Sequence, residues 1–188
     1  DVIGMPSRSL LWHYRSRHES LIRFSNAKFY QNKLTTFPSP NDMISKVSFR
    51  KVDGVYGGTK ATNEKEAKAI VAEIGRRLSS PELRKKSIGV VTFSSVQQEV
   101  VEDLLQDFFA ENKDLELINA ENPEPIIVKN LENIQGDERD VILFSVCYGP
   151  DKEGKMYYRF GPINNAGGEK RLNVAVSRAR YEMIVFAS

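Results

Sequence analysis

The sequence contains few of the residues that build disulfides and metal centres. Its 188 residues include one cysteine and two histidines. A single cysteine excludes an internal disulfide, and the position of Cys147 in the apolar run VILFSVCYG predicts a buried free thiol in mid-strand and a reducing compartment. With His13 and His18 far from this one thiol in sequence, the pattern indicates no zinc site, and we expect no metal. A thiol in mid-strand also argues against a Cys-His nucleophile pair.

The sequence also shows no pattern that would direct it into or across a membrane. No stretch approaches the 18 or so apolar residues of a transmembrane helix, and no signal-peptide pattern is present. We therefore expect a cytoplasmic protein without a membrane partner. The chain begins at Asp1 rather than Met, so we expect a fragment of a longer protein. A net charge of +2 is too small to indicate a partner, and any nucleic-acid site must be local.

No phosphate-binding loop is present, because the pattern GxxxxGK[ST] occurs nowhere in the sequence. The acidic residues Asp137, Glu138 and Asp140 are not spaced as metal ligands. The chain therefore lacks the two elements that normally hold a nucleoside triphosphate and its magnesium ion.

Short apolar strands alternate with amphipathic helices, which predicts a single three-layer α/β domain over residues 1–188 with a mostly parallel central sheet. Asn63 with Glu66 resembles a capping box, and Ser94 or Ser95 with Gln97 or Gln98 predicts a second helix start. We predict strands over 87–93, 125–130, 140–149 and 181–188, and helices over 17–30, 63–79, 95–110 and 168–179.

Three segments are candidates for function, and each has a structural alternative. In residues 10–30, Arg15 follows Trp12 and Tyr14 and either points into water or is held for an anion, which a planar guanidinium binds through two nitrogens. In residues 128–145, a turn around Gly136 joins two strands and forms either a plain surface turn or one wall of a cleft at strand ends.

The third segment, residues 170–180, carries three arginines on a predicted helix with small neighbours. Arg171 and Arg178 are seven residues apart, which predicts one shared helix face, whereas Arg180 points elsewhere. In the structural alternative the apolar residues pack and all three arginines face water. In the functional alternative a charge beside small residues is placed for close contact with a ligand.

Together these segments resemble the second RecA-like domain of superfamily 1 helicases of the Upf-like branch. YRSRHESLIRFSNAKFY is similar to helicase motif IV and its following helix, and IGVVTFSSVQQEVVEDLL to the next strand and helix. NLENIQGDERDVILFS resembles motif V, and KRLNVAVSRAR resembles motif VI, with lysine in place of its first arginine. The resemblance implies a RecA-like α/β fold and a large, helicase-related bacterial parent protein.

The resemblance also implies roles for particular residues at a nucleotide. Arg15 and Arg178 match the two arginines that reach the γ-phosphate of ATP, and Glu138 matches a glutamate near the nucleotide sugar. Gln135 and Gly136 match the motif V turn beside it. In this family ATP and Mg²⁺ are bound mainly by the first RecA-like domain, which would be this chain's partner within the parent protein.

For nucleic acid, the resemblance points to the turn that follows the strand in IGVVTFSSVQQEVVEDLL and to the start of motif V. The matching residues are Thr92, Phe93, Ser94, Ser95 and Asn130. Single-stranded DNA is the expected partner, and RNA is the alternative. Asn130 replaces the hydroxyl residue often found there, although an amide also donates to phosphate.

We therefore interpret the chain as the C-terminal motor half of an ATP-dependent helicase or translocase, inactive in isolation. The alternative is a non-catalytic nucleic-acid-binding or interaction module that kept the fold. The motor hypothesis predicts that Arg15, Glu138 and Arg178 lie exposed on one edge of the sheet, at the C-terminal ends of strands. For Arg171 the alternative is a pair with Asp137 or Asp140 that holds motifs V and VI together.

Overall fold

A five-stranded sheet organises this protein, whose computed structural model describes residues 11–39, 43–57, 61–156 and 160–188. The first ten residues of the predicted domain lie outside the described ranges. In chain order the elements are β1 (Trp12–His13), α1 (Ser20–Phe29), β2 (Thr35–Thr36), β3 (Val47–Lys51), α2 (Glu64–Ser79), β4 (Ile88–Thr92), α3 (Ser95–Glu111), α4 (Lys113–Glu121), β5 (Ile127–Asn130), β6 (Arg139–Ser145), α5 (Gly168–Val176) and β7 (Ala179–Ala187).

The central sheet is parallel throughout its described strands, in the order β3-β7-β6-β4-β5. The strands β1 and β2 form a separate parallel pair. Because every strand of the central sheet points the same way, all of them begin at one edge of the sheet and end at the other. This common direction divides the molecule into an N-terminal edge and a C-terminal edge.

Alternation along the strands builds two cores, one on each face. On β6, Val141 and Leu143 face the core formed with α2, α3 and α4, whereas Ile142 and Phe144 face the core formed with α1 and α5. All four side chains are at most 2% exposed. The predicted three-layer α/β fold with a parallel sheet is therefore confirmed for the described residues.

The segment 131–138 returns the chain from the end of β5 to the start of β6, two parallel strands with β4 between them. It has no room for a helix and crosses one face of the sheet as a chain of turns. Leu131 and Ile134 point inward and belong to the core beneath α1 and α5. This short crossing connects the two edges of the sheet.

Two helix starts agree with the sequence prediction in part. The side chain of Asn63 accepts a hydrogen bond from the Glu66 amide at 3.1 Å, and that of Ser94 accepts one from the Gln97 amide at 3.1 Å. The reciprocal half of the predicted capping box is absent, because the Asn63 amide donates instead to Gln97 Oε1 at 2.9 Å. The Glu66 carboxyl is therefore available for another role.

Four elements and several boundaries differ from the prediction. The exposed edge strand β3, the helix α4 and the two-residue strands β1 and β2 were not predicted. The helix predicted over 168–179 ends at Val176, and β7 already begins at Ala179. The strand predicted over 140–149 ends at Ser145, so Cys147 is not in mid-strand but follows β6 with a φ of 69°.

Candidate nucleotide and nucleic-acid sites

Arg15 is held against the start of β7 by the residues that follow it. The Arg17 amide donates to the Arg180 carbonyl at 2.8 Å, and the Ser16 hydroxyl donates to the Ala179 carbonyl at 3.1 Å. From this anchored backbone, Arg15 Nε donates to Glu138 Oε2 at 2.6 Å. A long, flexible side chain is thereby fixed at a defined place before any ligand is present.

Arg178 occupies the turn between α5 and β7. Its Nε donates to the Val174 carbonyl at 2.8 Å. Within the described ranges its two terminal nitrogens have no hydrogen-bond partner, and it forms no ion pair. Partial burial lowers the pKa of Arg178, and the neighbouring positive charge of Arg15 lowers it further. The structure thus keeps two like charges close together, an arrangement that a bound anion would stabilise.

Glu138 directly precedes β6 and lies between two arginines. Its Oε2 accepts from Arg15, and its Oε1 lies 3.6 Å from Arg180 Nη1. Its negative charge also favours the charged form of the nearby Arg178. One carboxylate therefore links Arg15 to Arg180 and also acts on Arg178.

Gln135 and Gly136 form the exposed end of the crossing segment 131–138. Gly136 has a φ of 99°, a left-handed conformation that favours glycine, and an added Cβ there would meet no atom within 4 Å. The Asp137 amide closes the turn by donating to the Ile134 carbonyl at 3.2 Å. Glycine is thus required by the shape of the turn, and the open space beside it leaves room for a ligand.

The prediction that Arg15, Glu138 and Arg178 share one edge is correct, but the edge is the wrong one. Glu138 immediately precedes β6, and Arg178 immediately precedes β7, so both lie at the N-terminal edge. The three side chains are partly buried rather than fully exposed. The contact between Arg15 and Glu138 covers part of both side chains, and Arg178 bonds the Val174 carbonyl.

The candidate nucleic-acid residues lie at the opposite, C-terminal edge. Thr92 is fully buried, and its hydroxyl donates to the Ser94 carbonyl at 2.8 Å. Ser94 caps α3, while Ser95 is exposed at its first turn. Phe93 packs edge-on against Phe144, with ring centroids 6.2 Å apart. The turn therefore presents Ser95 and backbone amides to solvent and uses Thr92 and Phe93 to hold its shape.

Asn130 has an internal role in the structure. Its Nδ2 donates to Gln98 Oε1 at 3.0 Å, and its Oδ1 accepts from the amides of Glu132 and Asn133 at 2.9 and 3.2 Å. The residue is buried. Its assignment as a phosphate donor stays a prediction, and only the second hydrogen of Nδ2 is left for such a contact while the bond to Gln98 persists.

Arg171 pairs with a different residue from either one predicted. Its Nε lies 3.8 Å from Glu132 Oε1, whereas Asp140 pairs with Arg180. Because α5 ends at Val176, Arg171 and Arg178 do not share a helix face. Arg171 nevertheless joins α5 to the segment 131–138, which is the connection that the prediction required of it.

Sequence reasoning missed two residues beside the cluster. Arg180 was expected to point elsewhere, yet it contacts Glu138, Glu124 and Asp140. A usable signal was present, because these acidic residues precede or begin predicted parallel strands and must meet at one edge. Tyr30 lies near enough to Arg178 to favour its charged form, and nothing in the sequence indicated that proximity.

Other chemistry finds no support in the described residues. No group of three or more His, Cys, Asp or Glu residues among them is arranged to hold a metal ion. Cys147 is free and buried, and burial, with the nearby Glu66 carboxyl, raises the pKa of its thiol to about 12. A thiol with such a pKa is a poor nucleophile near neutrality. None of the helices in the described ranges is both long and apolar enough to cross a bilayer.

A family model described as an AAA domain, AAA_12, matches residues 4–188 of the sequence. The chain belongs to the AAA_12 family. The match covers all four motif segments, and the parallel sheet with helices on both faces is the RecA-like α/β fold that the resemblance implies. The predicted relationship to Upf-like helicases is supported by the relatives of this AAA_12 chain.

An uncharacterized ATP-dependent helicase, MG140, of Mycoplasma genitalium is 36% identical over 184 residues, 94% of this chain and 16% of that protein. The ATP-dependent helicase upf1 of Schizosaccharomyces pombe is 24% identical over 203 residues, 100% of this chain and 20% of that protein. A solved C-terminal domain of a possible DNA helicase from Lactobacillus plantarum covers 93% of this chain and 86% of its own, with 15% identity and a TM-score of 0.48. The AAA_12 chain thus spans a fifth or less of the length of the Mycoplasma and Schizosaccharomyces helicases.

Proposed function

We propose that this chain is the C-terminal motor half of an ATP-dependent superfamily 1 helicase or translocase. The observation that carries the proposal is the pair of guanidiniums at the N-terminal edge, Arg15 and Arg178, held close together by backbone and carboxylate contacts. The terminal nitrogens of Arg178 have no hydrogen-bond partner in the described residues. Two pre-positioned positive charges suit a triphosphate brought to this edge by another domain.

The proposed chemistry is electrostatic. Phosphoryl transfer builds negative charge on the transferred group, and donors fixed in advance stabilise that charge without reorganising during the reaction. An arginine finger contributes roughly three to five orders of magnitude to the rate of such reactions. Arg178 would act on the γ-phosphate directly, and Arg15, steadied by Glu138, would act beside it.

The remaining nucleotide contacts follow from the same edge. Glu138 would accept a hydrogen bond from a sugar hydroxyl, with Gln135 and Gly136 bordering the nucleotide. We assign Mg²⁺ and most contacts to ATP to the first RecA-like domain of the parent protein, because this sequence has no phosphate-binding loop. By this proposal the isolated chain does not hydrolyse ATP.

Nucleic acid would bind at the C-terminal edge. The start of α3 directs backbone amides outward next to the exposed Ser95, which is a suitable arrangement for a backbone phosphate. Thr92, Phe93, Ser94 and Asn130 would hold this turn and the start of the crossing segment in place. Contacts of this kind do not depend on base identity, so single-stranded DNA is the proposed partner and RNA the alternative. We propose the cytoplasm as the location.

The deciding experiment is nucleic-acid-stimulated ATP hydrolysis by the longer parent protein, wild type beside Arg178→Ala. We expect a loss of about two or more orders of magnitude in kcat, with ATP binding largely retained. Arg84→Ala is the matched control, since Arg84 is an exposed arginine whose side chain has no hydrogen bond or ion pair with Arg15, Glu138 or Arg178 in the described residues. Comparing single-stranded DNA with RNA as the stimulating strand decides between the two partners.

The outcomes separate the hypotheses. Equal turnover in the wild type and Arg178→Ala would show that Arg178 is structural and would reject the finger assignment. No turnover in the wild type, together with retained binding of a single strand, would favour the non-catalytic module. Turnover by the 188-residue chain alone would contradict the assignment of ATP binding to another domain.

A further inference from the structure

Arg180, the second residue of β7, joins three strand starts at the N-terminal edge. Its Nε donates to Asp140 Oδ1 at 2.9 Å, its Nη1 to Glu124 Oε1 at 3.2 Å and its Nη2 to Ser87 Oγ at 3.0 Å. Nη2 also bonds Glu124 Oε2. These residues belong to β6 and to the segments just before β4 and β5. The guanidinium is thus fixed from several sides at once.

The same guanidinium faces the candidate nucleotide site. Arg180 Nη1 lies 3.6 Å from Glu138 Oε1, while Arg15 Nε bonds Glu138 Oε2 at 2.6 Å. The two carboxylate oxygens of Glu138 are therefore divided between two arginines. A carboxylate with one charged partner can still rotate about its terminal torsion, whereas opposed partners on both oxygens restrict that rotation.

We propose that Arg180 is a positioning residue that orients the Glu138 carboxylate so that the site recognises the sugar of a ribonucleoside triphosphate. The inference rests on the proposed function, because it requires a nucleotide at this edge. Arg180 itself does not touch the nucleotide in this proposal. Its contribution is a fixed direction for the Glu138 carboxylate, supplied before the nucleotide arrives.

Several observations favour this role over a purely structural one. Glu124 and Asp140 already give Arg180 two carboxylates, so Glu138 is not needed to neutralise it. Of the three carboxylates that contact Arg180 in the described residues, Glu138 alone also bonds a proposed catalytic arginine. Arg180 is partly buried, with 22% of its side chain exposed, so its position is more restricted than that of a surface arginine.

The test compares ATP with 2′-deoxyATP and 3′-deoxyATP in single-strand-stimulated hydrolysis by the longer parent protein. The variants are Arg180→Gln, Arg180→Lys, Glu138→Gln and the double variant Arg180→Gln with Glu138→Gln. Losing a hydrogen bond to a charged group changes binding by about tenfold or more. We expect Glu138→Gln to reduce the preference of the wild type for ATP over a deoxy analogue by about tenfold.

The double-mutant cycle tests whether Arg180 acts through Glu138. Arg180→Gln should remove part of the preference for ATP over a deoxy analogue, mainly by raising KM for ATP while leaving KM for the deoxy analogue unchanged. Arg180→Lys should restore part of it, because an ammonium keeps the charge but not the planar fork. In the Glu138→Gln background, Arg180→Gln should have no further effect on the preference. Additive effects in the cycle would overturn the proposal.

Stability is monitored so that a folding defect is not mistaken for a positioning effect. Arg50→Gln is the matched control, since Arg50 also pairs with a carboxylate, Glu73, at 2.9 Å but belongs to the edge strand β3. It should leave the sugar preference unchanged. A general loss of stability would lower turnover with all three nucleotides equally, and that result with Arg180→Lys would contradict the positioning role.

Failure of this inference is distinguishable from failure of the proposed function. If Arg178→Ala abolishes hydrolysis but Arg180→Gln leaves the sugar preference intact, the motor assignment stands and the positioning role is rejected. If Arg178→Ala leaves hydrolysis unchanged, the finger assignment fails whatever Arg180 does. If the wild-type protein does not hydrolyse ATP, both proposals are rejected together.

Discussion

A buried carboxyl at the start of α2 gives the protein a stability that depends on pH. Glu66 is fully buried, and its Oε1 accepts hydrogen bonds from the Ser145 hydroxyl at 2.6 Å and the Cys147 amide at 2.8 Å. Its Oε2 is buried without a hydrogen-bond partner among the described residues. Burial raises the pKa of Glu66 from 4.5 to about 7, although the hydrogen bonds to Oε1 oppose the change.

The sign of the effect follows from proton binding. Between pH 4.5 and about 7 the folded protein keeps the proton of Glu66 and the unfolded chain has released it. The free energy of unfolding therefore falls by about 1.4 kcal/mol per pH unit across this window and is constant above it. Over the whole window the loss is about 3 kcal/mol, a large part of the stability of an ordinary domain.

Glu66→Gln should remove this loss. The amide oxygen can accept the same two hydrogen bonds, and an amide carries no charge to desolvate. We expect the variant to unfold with a free energy up to about 3 kcal/mol higher than the wild type at pH 8, and to differ little at about pH 4.5. Urea unfolding of the chain at both pH values measures the difference.

The matched control is Glu64→Gln on the same helix, since Glu64 is exposed and pairs with Lys68 at 2.6 Å. It should show no gain at pH 8. A Glu66→Gln variant that is less stable than the wild type at pH 8, or a difference that is the same at both pH values, would refute the reasoning. Either result would mean that the carboxyl is ionised and stabilised in the folded protein near neutrality.

Two further substitutions test the packing. Burial disfavours the charged form of Glu73, yet hydrogen bonds from Arg76 and Arg77 lower its pKa to about 2. Glu73→Gln should lower the free energy of unfolding by about 3 kcal/mol at pH 7, because it leaves the buried Arg77 without this carboxylate. Urea unfolding should show this loss shrinking as the pH falls from 4.5 to 2. Gly168→Ala should lower the melting temperature, because a Cβ would lie 2.1 Å from the Ile163 carbonyl oxygen; an unchanged melting temperature would contradict that geometry.

The fold was predictable where a strand is covered on both faces. The strands β4, β6 and β7 carry continuous apolar runs, and the helices between them have clear apolar stripes, so the layers and the parallel sheet follow from sequence. The edge strand β3 was missed because four of its five residues are exposed, which leaves VSFRK without an apolar run. The helix α4 was missed because only Leu115 among its residues is buried.

The candidate site was predictable in membership but not in geometry. The motif resemblance selected Arg15, Glu138 and Arg178, and the structure brings these three together. The contact between Arg15 and Glu138 joins residues 123 positions apart. No local pattern contains such a pairing, and the partner of Arg171 was unpredictable for the same reason. The acidic partners of Arg180 could have been found, because they precede or begin predicted parallel strands.

The wrong edge has a simple cause in the order of residues along the chain. Ligands in parallel α/β sheets commonly bind where strands end, and this general rule predicts the C-terminal edge for Arg15, Glu138 and Arg178 as well. Glu138 and Arg178, however, come immediately before β6 and β7, and a residue that precedes a parallel strand must lie at the edge where strands begin. Ser94 and Asn130 come at the ends of β4 and β5 and lie at the other edge. The position of each residue relative to its own strand therefore assigns it to one edge of the sheet from sequence alone. The crossing segment 131–138 runs from one edge to the other and is a short covalent link between the candidate nucleic-acid and nucleotide sites.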